Sequence, residues 1–175
     1  SIIASLALNA ETHFSMISVK VLPRIRYMLT HTEARIQSAG VKAVCCLACT
    51  SLLHEQLLTI DVLNLLVPFL QQKHIHNKKL AAVVCASFSE NPSMLPQLNF
   101  SRLIFSLMET CFPAGTVSFS DINIVHTVRF AMFALANISS LTESHRHIAD
   151  CIHSIEMNRV FALLQSPYSD VKSYF

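Results

Sequence analysis

The stretch that decides the fold is "RFAMFALANISS", Arg129 to Ser140. It has no Gly, no Pro and a single charge. Small residues (Ala131, Ala134, Ala136) alternate with large apolar ones at three- and four-residue steps, the period of a helix with close neighbours. A lone amide, Asn137, sits near its end. An Asn there either caps the helix or projects from one face to hold a ligand, and the rest of the chain bears on which.

The stretch has counterparts. "LALNAE", "CLACTS" and "CASFSE" are similar helical ends, and they set Asn9, Cys49 and Phe88 against Asn137. The spacings are 49 − 9 = 40, 88 − 49 = 39 and 137 − 88 = 49. A second marker agrees. Paired large apolar residues close another helix type at Met28–Leu29, Phe69–Leu70, Leu107–Met108 and Leu163–Leu164. A period near forty residues is the mark of a repeat architecture. The longer last intervals imply insertions, one at "CFPAGTVSFSD" (111–121) with Pro113 and Gly115 as breakers, the other near "SLTESHRH" (140–147).

Each period reads as three helices. The short first helices are "FSMISVK", "HEQLLTID", "PSMLPQL" and "HRHIADCIH". The second helices are "VLPRIRYMLT", "LNLLVPFLQQ", "SRLIFSLMET" and "MNRVFALLQS". The long third helices are "ARIQSAGVKAVCCLACTS", "NKKLAAVVCASFSE" and "INIVHTVRFAMFALANISS". Pro23 suits a helix start, where its missing N–H costs little. Pro68 falls inside a pattern and is expected to kink that helix or shift its start. Gly40 costs about 1 kcal/mol against Ala mid-helix, which close helix–helix approach would repay.

"RFAMFALANISS … IADCIHSIEMNRVFALLQSPYSDV" resembles an armadillo repeat, with a third helix ending in A-L-x-N-[IL]-[AS], a short helix, then a helix ending in Leu-Leu and a small polar turn. "VLPRIRYMLTHTEARIQSAGVKAVCCLACTS" resembles the next unit, with V-L-P opening its second helix. The two-helix HEAT repeat is the structural alternative, and the likeness is weakest over 91–125. The resemblance implies an all-α solenoid: a right-handed superhelix of about three complete repeats with partial ones at both ends, its third helices lining a concave groove. The division is a partial repeat at 1–10, repeats at 11–50, 51–90 and 91–140 (with the 111–121 insertion), and a partial repeat at 141–175, all one solenoid segment. Stacking explains why one unit cannot stand alone: its apolar face closes only against its neighbours. The helical pattern is already running at Ser1 and resumes at "SDVKSYF", so a segment of a longer polypeptide is expected, in contact with its parent at both ends.

Composition limits the alternatives. Of 175 residues 52% are hydrophobic and 14% charged, which argues for a packed core and against disorder. Two glycines are too few for hairpin-rich β architectures. A net charge of +2 and one adjacent basic pair, Lys78–Lys79, argue against nucleic acid. "LNLLVPFL" is far short of the ~20 residues of a membrane span. Three of six cysteines fall within Cys45–Cys49, which is not a disulfide framework, so a reducing, cytoplasmic compartment is expected, with cytoskeletal or nuclear settings open.

Catalytic signatures are missing from the sequence: there is no G-x-S-x-G, no Gly-rich phosphate loop and no H-E-x-x-H, so no enzyme and no cofactor are expected. Cys46 and Cys49 share a helix face, as two metal ligands would, but two further ligands at a recognised spacing are absent; buried small residues are the plainer reading, and no metal is expected. "HIH" (74–76) and "HRH" (145–147) fall at helix junctions, where His caps carbonyls or meets solvent.

The resemblance supplies the candidate site. In the family, Asn at the position of Asn137 projects into the groove and hydrogen-bonds the backbone of an extended peptide, with an aromatic four residues earlier; Phe133 matches that aromatic. Arg129, Phe133 and Asn137, four apart, form one stripe. The aligned pairs elsewhere are Ser5/Asn9, Cys45/Cys49 and Val84/Phe88. The expected groove is therefore Asn9, Lys42, Cys45, Cys49, Val84, Phe88, Arg129, Phe133 and Asn137. Trp–Asn pairs in series, which a nuclear-import groove needs, are missing. Lys42, Lys78, Lys79 and Arg129 on the third helices favour an acidic or neutral partner, an extended peptide or an amphipathic helix. The expected function is a non-catalytic interaction scaffold in a large cytoplasmic or cytoskeletal assembly, with a nuclear-transport cargo adaptor or the regulatory arm of a multidomain enzyme as alternatives.

Overall fold

The computed structural model describes residues 2–18, 20–112, 121–153, 155, 159 and 160. These form helices only. In chain order they are α1 (Ile2–Leu6), α2 (His13–Ser18), α3 (Leu22–Leu29), α4 (Ala34–Ala48), α5 (His54–Leu58), α6 (Val62–Gln71), α7 (Ile75–Ser89), α8 (Leu95–Leu98), α9 (Ser101–Cys111), α10 (Ile122–Ile138) and α11 (His145–Ile152). Short 3-10 turns precede α2, α5, α8 and α11. Short, medium and long helices thus follow one another three times. Most of 111–121, with Pro113 and Gly115, lies outside the described residues, as do Leu163–Leu164 and "SDVKSYF".

The long helices stack in sequence, α1 on α4, α4 on α7 and α7 on α10, while α6 packs on α9. This neighbour-to-neighbour packing makes an all-α solenoid of about three repeats with partial ones at each end. One continuous apolar core runs through it, from Ala4 and Ala7 by way of Leu47, Leu66 and Phe88 to Ile138 and Cys151.

Local chemistry repeats with the layers. His13 Nε2 holds the Ala7 carbonyl at 2.9 Å, His54 Nε2 the Ala48 carbonyl at 2.8 Å and His145 Nε2 the Ser139 carbonyl at 2.9 Å. The rings close the C-terminal ends of α1, α4 and α10, where carbonyls lack intrahelical partners. The first two clasps lie one period apart (54 − 13 = 41). Lys20 and Asp61, at φ 55° and 59°, turn the chain in the left-handed region at the same place in consecutive layers.

Pro23 sits in the first turn of α3. The helix α6 runs through Pro68, which stays on its exposed side. Gly40 is buried against α3: a Cβ there would meet Met28 Cβ at 3.0 Å and Leu29 N at 3.2 Å. The glycine is what lets α4 approach α3 so closely. Among the described residues no single helix is long and apolar enough to cross a membrane.

Candidate functional site

The histidine clasps fix which residues are equivalent. Ala7, Ala48 and Ser139 share one position, so Asn137, two residues earlier than Ser139, corresponds to Cys46. In α7 the 3-10 turns give the register: Pro92–Met94 matches Thr142–Ser144 (142 − 92 = 50), which sets Ser87 beside Asn137. The outward faces of α4, α7 and α10 then align in five rows. These are Arg35, His76, His126; Ser38, Lys79, Arg129; Lys42, Val83, Phe133; Cys46, Ser87, Asn137; and Cys49, Glu90, Ser140. Every one of these residues is exposed or half-buried.

This register corrects the sequence alignment by one residue on α7 (Ser87 for Phe88), by three on α4 (Cys46 for Cys49) and by four on α1 (Ser5 for Asn9). Val84 and Phe88 do not line the face. Both are fully buried, and the Phe88 ring stacks on His54 with centroids 4.2 Å apart. One residue is 100° of rotation on a helix, enough to carry a side chain from the open face into the core. Asn9 is also displaced: it caps the 3-10 turn before α2, its Oδ1 accepting from Glu11 N at 3.0 Å, as Asn91 does for Ser93 N at 3.2 Å. Cys45 is half-buried beside the row rather than on it, and Cys49 closes α4 with its thiol directed at the Cys45 carbonyl (3.3 Å). Lys42, Arg129, Phe133 and Asn137 lie on the face where sequence put them. Cys46, Val83 and Ser87 share that face though the expected groove omitted them, and Lys79, expected only as a third-helix cation, stands with them; the His residues at 13, 54 and 145 carry the register of α1, α4 and α10, and the turn at Pro92–Met94 that of α7.

Asn137 does not cap its helix. Its Nδ2 donates to Ser89 Oγ at 3.0 Å, and Ser89 Oγ in turn donates to the Ala86 carbonyl at 2.7 Å. The Asn is thereby oriented by a buried hydroxyl on the neighbouring helix, with its Oδ1 left to accept. Between α7 and α10 a cleft of about 350 Å³ is lined by Val83, Ser87, Glu90, His126, Arg129 and Phe133. A second, of about 400 Å³, continues past Phe133 and Asn137 to Ser140.

The charge of the face is uneven. Arg35, Lys79, Arg129 and Lys42 occupy its first three rows, and Glu90 is the one carboxylate in the five rows. Lys79 Nζ reaches across to Asn123 Oδ1 at 2.8 Å, tying α7 to α10. The positive field is felt by His76: partial burial, then Lys79, His74 and Lys42, hold its imidazole below the usual histidine range. Lys78, by contrast, belongs elsewhere. Its acidic neighbour is Glu109 of α9, and burial lowers its ammonium pKa.

Cys85, Cys111 and Cys151 are buried in the core, Cys45 and Cys46 are half-buried and Cys49 is exposed. Burial, with Cys49 and Cys46 alongside, pushes Cys45 up to about 12, against a smaller opposing pull from Lys79. Burial alone drives Cys85 to about 12 and Cys111 higher still. A thiol this reluctant to ionise is a poor nucleophile and a poor metal ligand. Among the described residues no three His, Cys, Asp or Glu side chains are grouped as metal ligands would be.

No family model matches the chain, and no curated protein does. Solved structures do. A computationally designed armadillo repeat protein for modular peptide recognition superposes with a TM-score of 0.77 at 17% identity, over 98% of this chain and 69% of that one. A designed armadillo repeat protein in complex with the peptide (KR)4 gives 0.75 at 18% identity, over 98% and 69%. The armadillo-repeats-only protein of Plasmodium falciparum gives 0.75 at 15% identity, over 98% and 73%. At such identities the likeness is one of fold, and in fold this chain is an armadillo-like repeat solenoid.

Proposed function

We propose that the face made by α4, α7 and α10 is a docking groove for an acidic or neutral polypeptide, and that the chain works as a non-catalytic scaffold. The observation that carries this reading is the alignment of rows: a basic edge (Arg35, Lys79, Arg129, with Lys42 beside it), an apolar centre (Val83, Phe133) and a polar far side (Ser87, Asn137). An extended chain crossing the long helices offers backbone amides to Asn137, whose carboxamide both donates and accepts. Its acidic side chains fall toward the cationic edge. Two of the similar designed proteins are described by peptide recognition, one of them with an alternating Lys-Arg peptide. The face here carries four cations and one carboxylate in its five rows, so a basic peptide is disfavoured.

Six free cysteines support a reducing, cytoplasmic setting, and a place in a larger, cytoskeletal assembly is part of the same proposal. So is the division into repeats at 11–50, 51–90 and 91–140.

The test is fluorescence anisotropy with labelled octapeptides of matched length, one rich in Glu, the other (KR)4. The reading expects the acidic peptide to bind more tightly, and Arg129→Glu to weaken it at least ten-fold. Arg24→Glu on α3, off this face, should leave binding unchanged. Equal losses from both variants, or preference for the basic peptide, would refute it.

A further inference from the structure

A third cleft, of about 570 Å³, opens where the N-terminal ends of α4 and α7 converge. It is lined by Arg35 and Ser38 from α4, by Gln72, Lys73 and His74 from the turn leading into α7, and by Asn77 in the first turn of α7. No carboxylate lines it. Arg35 and Lys73 are exposed and make no ion pair or hydrogen bond among the described residues. His74 caps α7 by accepting from Asn77 N (3.4 Å), which leaves the proton on Nε2 as a donor.

Asn77 is the informative residue. It is only 3% exposed, it lines the cleft, and its Oδ1 has no hydrogen-bond partner. A buried carboxamide is ordinarily satisfied. The Nδ2 end makes no hydrogen bond among the described residues either, and it is the end of the amide that can donate to a group in the cleft. The surroundings decide what it meets: two cations, a histidine donor and the positive ends of two fifteen-residue helices all call for negative charge.

We propose that this cleft binds an oxyanion, a carboxylate or phosphate group carried by the partner polypeptide, held by Arg35, Lys73 and the Asn77 carboxamide. Arg35 and Ser38 also belong to the first two rows of the groove, so the cleft anchors one acidic side chain at the groove's basic edge. That the anion arrives on a polypeptide rests on the groove reading; that the cleft takes an oxyanion does not.

The experiment is a ¹⁵N chemical-shift titration with inorganic phosphate at constant ionic strength. The expected result is saturable shifts at the amides of 73–77 and at Arg35. Arg35→Gln combined with Lys73→Gln, both exposed and neutral for folding, should raise the apparent Kd at least ten-fold. Asn77→Asp should do the same where it folds. Shifts that never saturate, or that are identical in the double variant, overturn the proposal. A second arm compares a Ser-containing peptide with its phosphoserine and Glu forms. Tighter binding of the two acidic forms, lost in the double variant, supports the anchor. If phosphate binds and neither acidic peptide gains, the oxyanion site stands and the groove reading fails. Binding only to phosphatidylserine vesicles, with no response to phosphate, overturns both.

Discussion

Helices α7 and α10 occupy equivalent places in consecutive layers, yet only α10 announces its open face in sequence. On α10 the outward line is Arg129, Phe133 and Asn137, with small or aliphatic residues behind it. On α7 the same line is Lys79, Val83 and Ser87, and the residues one step on, Val84 and Phe88, are as apolar as any. The cause is packing. The helix α7 is gripped by α4, α6, α8 and α10, so its apolar residues wrap most of its circumference. A helix buried on nearly every side offers no stripe from which to read its rotation. Its register is carried by the 3-10 turn that follows it, Pro92–Met94, not by its own amphipathicity.

The largest effect should separate two phenylalanines. Phe88→Ala removes a fully buried ring from the middle of the core and should cost about 3–5 kcal/mol in urea unfolding. Phe133→Ala, half-buried on the face, should cost about 1 kcal/mol or less while weakening the acidic peptide. Equal destabilisation by the two would break the assigned register.

Next comes Gly40→Ala. Helix propensity alone would make it favourable by about 1 kcal/mol. The new Cβ at 3.0 Å from Met28 Cβ and 3.2 Å from a backbone nitrogen opposes this, since forcing such a contact costs about 1–3 kcal/mol. A net loss in thermal stability is expected, because the backbone of α3 has nowhere to go. A stabilised variant would show that the layers slide more freely than described.

A smaller effect is expected at Asn137. Its replacement by Ala removes one side-chain hydrogen bond to Ser89 and should change stability by about 0.5–1.5 kcal/mol. Peptide affinity should fall several-fold, and Ser87→Ala, the equivalent on α7, should fall less. If Asn137→Ala leaves affinity intact, the amide is only a strut between α7 and α10.

The smallest effect near neutrality is alkaline. Cys85 lies in the core of α7, with its thiol raised from 9.0 to about 12, and α10 has no cysteine. Above pH 9 the unfolded chain releases this proton and the folded one keeps it, so stability falls as pH rises from about 9 toward 12. Cys85→Ala should flatten that fall, whatever it costs at pH 7. An unchanged slope would mean the thiol is not as deeply desolvated as its position implies.

The layers were legible in the sequence because their markers are local. Apolar pairs such as Phe69–Leu70 recur with the period, and the helices lie within a few residues of where the pattern sets them. The register across layers was less legible. Matching "CASFSE" to "ALANIS" by apolar content put Phe88 opposite Asn137, because content does not record rotation. The cleft at Asn77 was invisible for another reason. Its residues come from two turns far apart in the chain, and an orphaned carboxamide is a fact of packing, not of sequence.

The most direct test of the central claim is residue-by-residue mapping of the acidic octapeptide by ¹⁵N chemical-shift perturbation. A continuous track is expected through Lys42, Cys46, Lys79, Val83, Ser87, Arg129, Phe133 and Asn137, with α3, α6 and α9 silent. Perturbations centred on Asn64, Arg102 and Phe105, with the long helices unmoved, would contradict it.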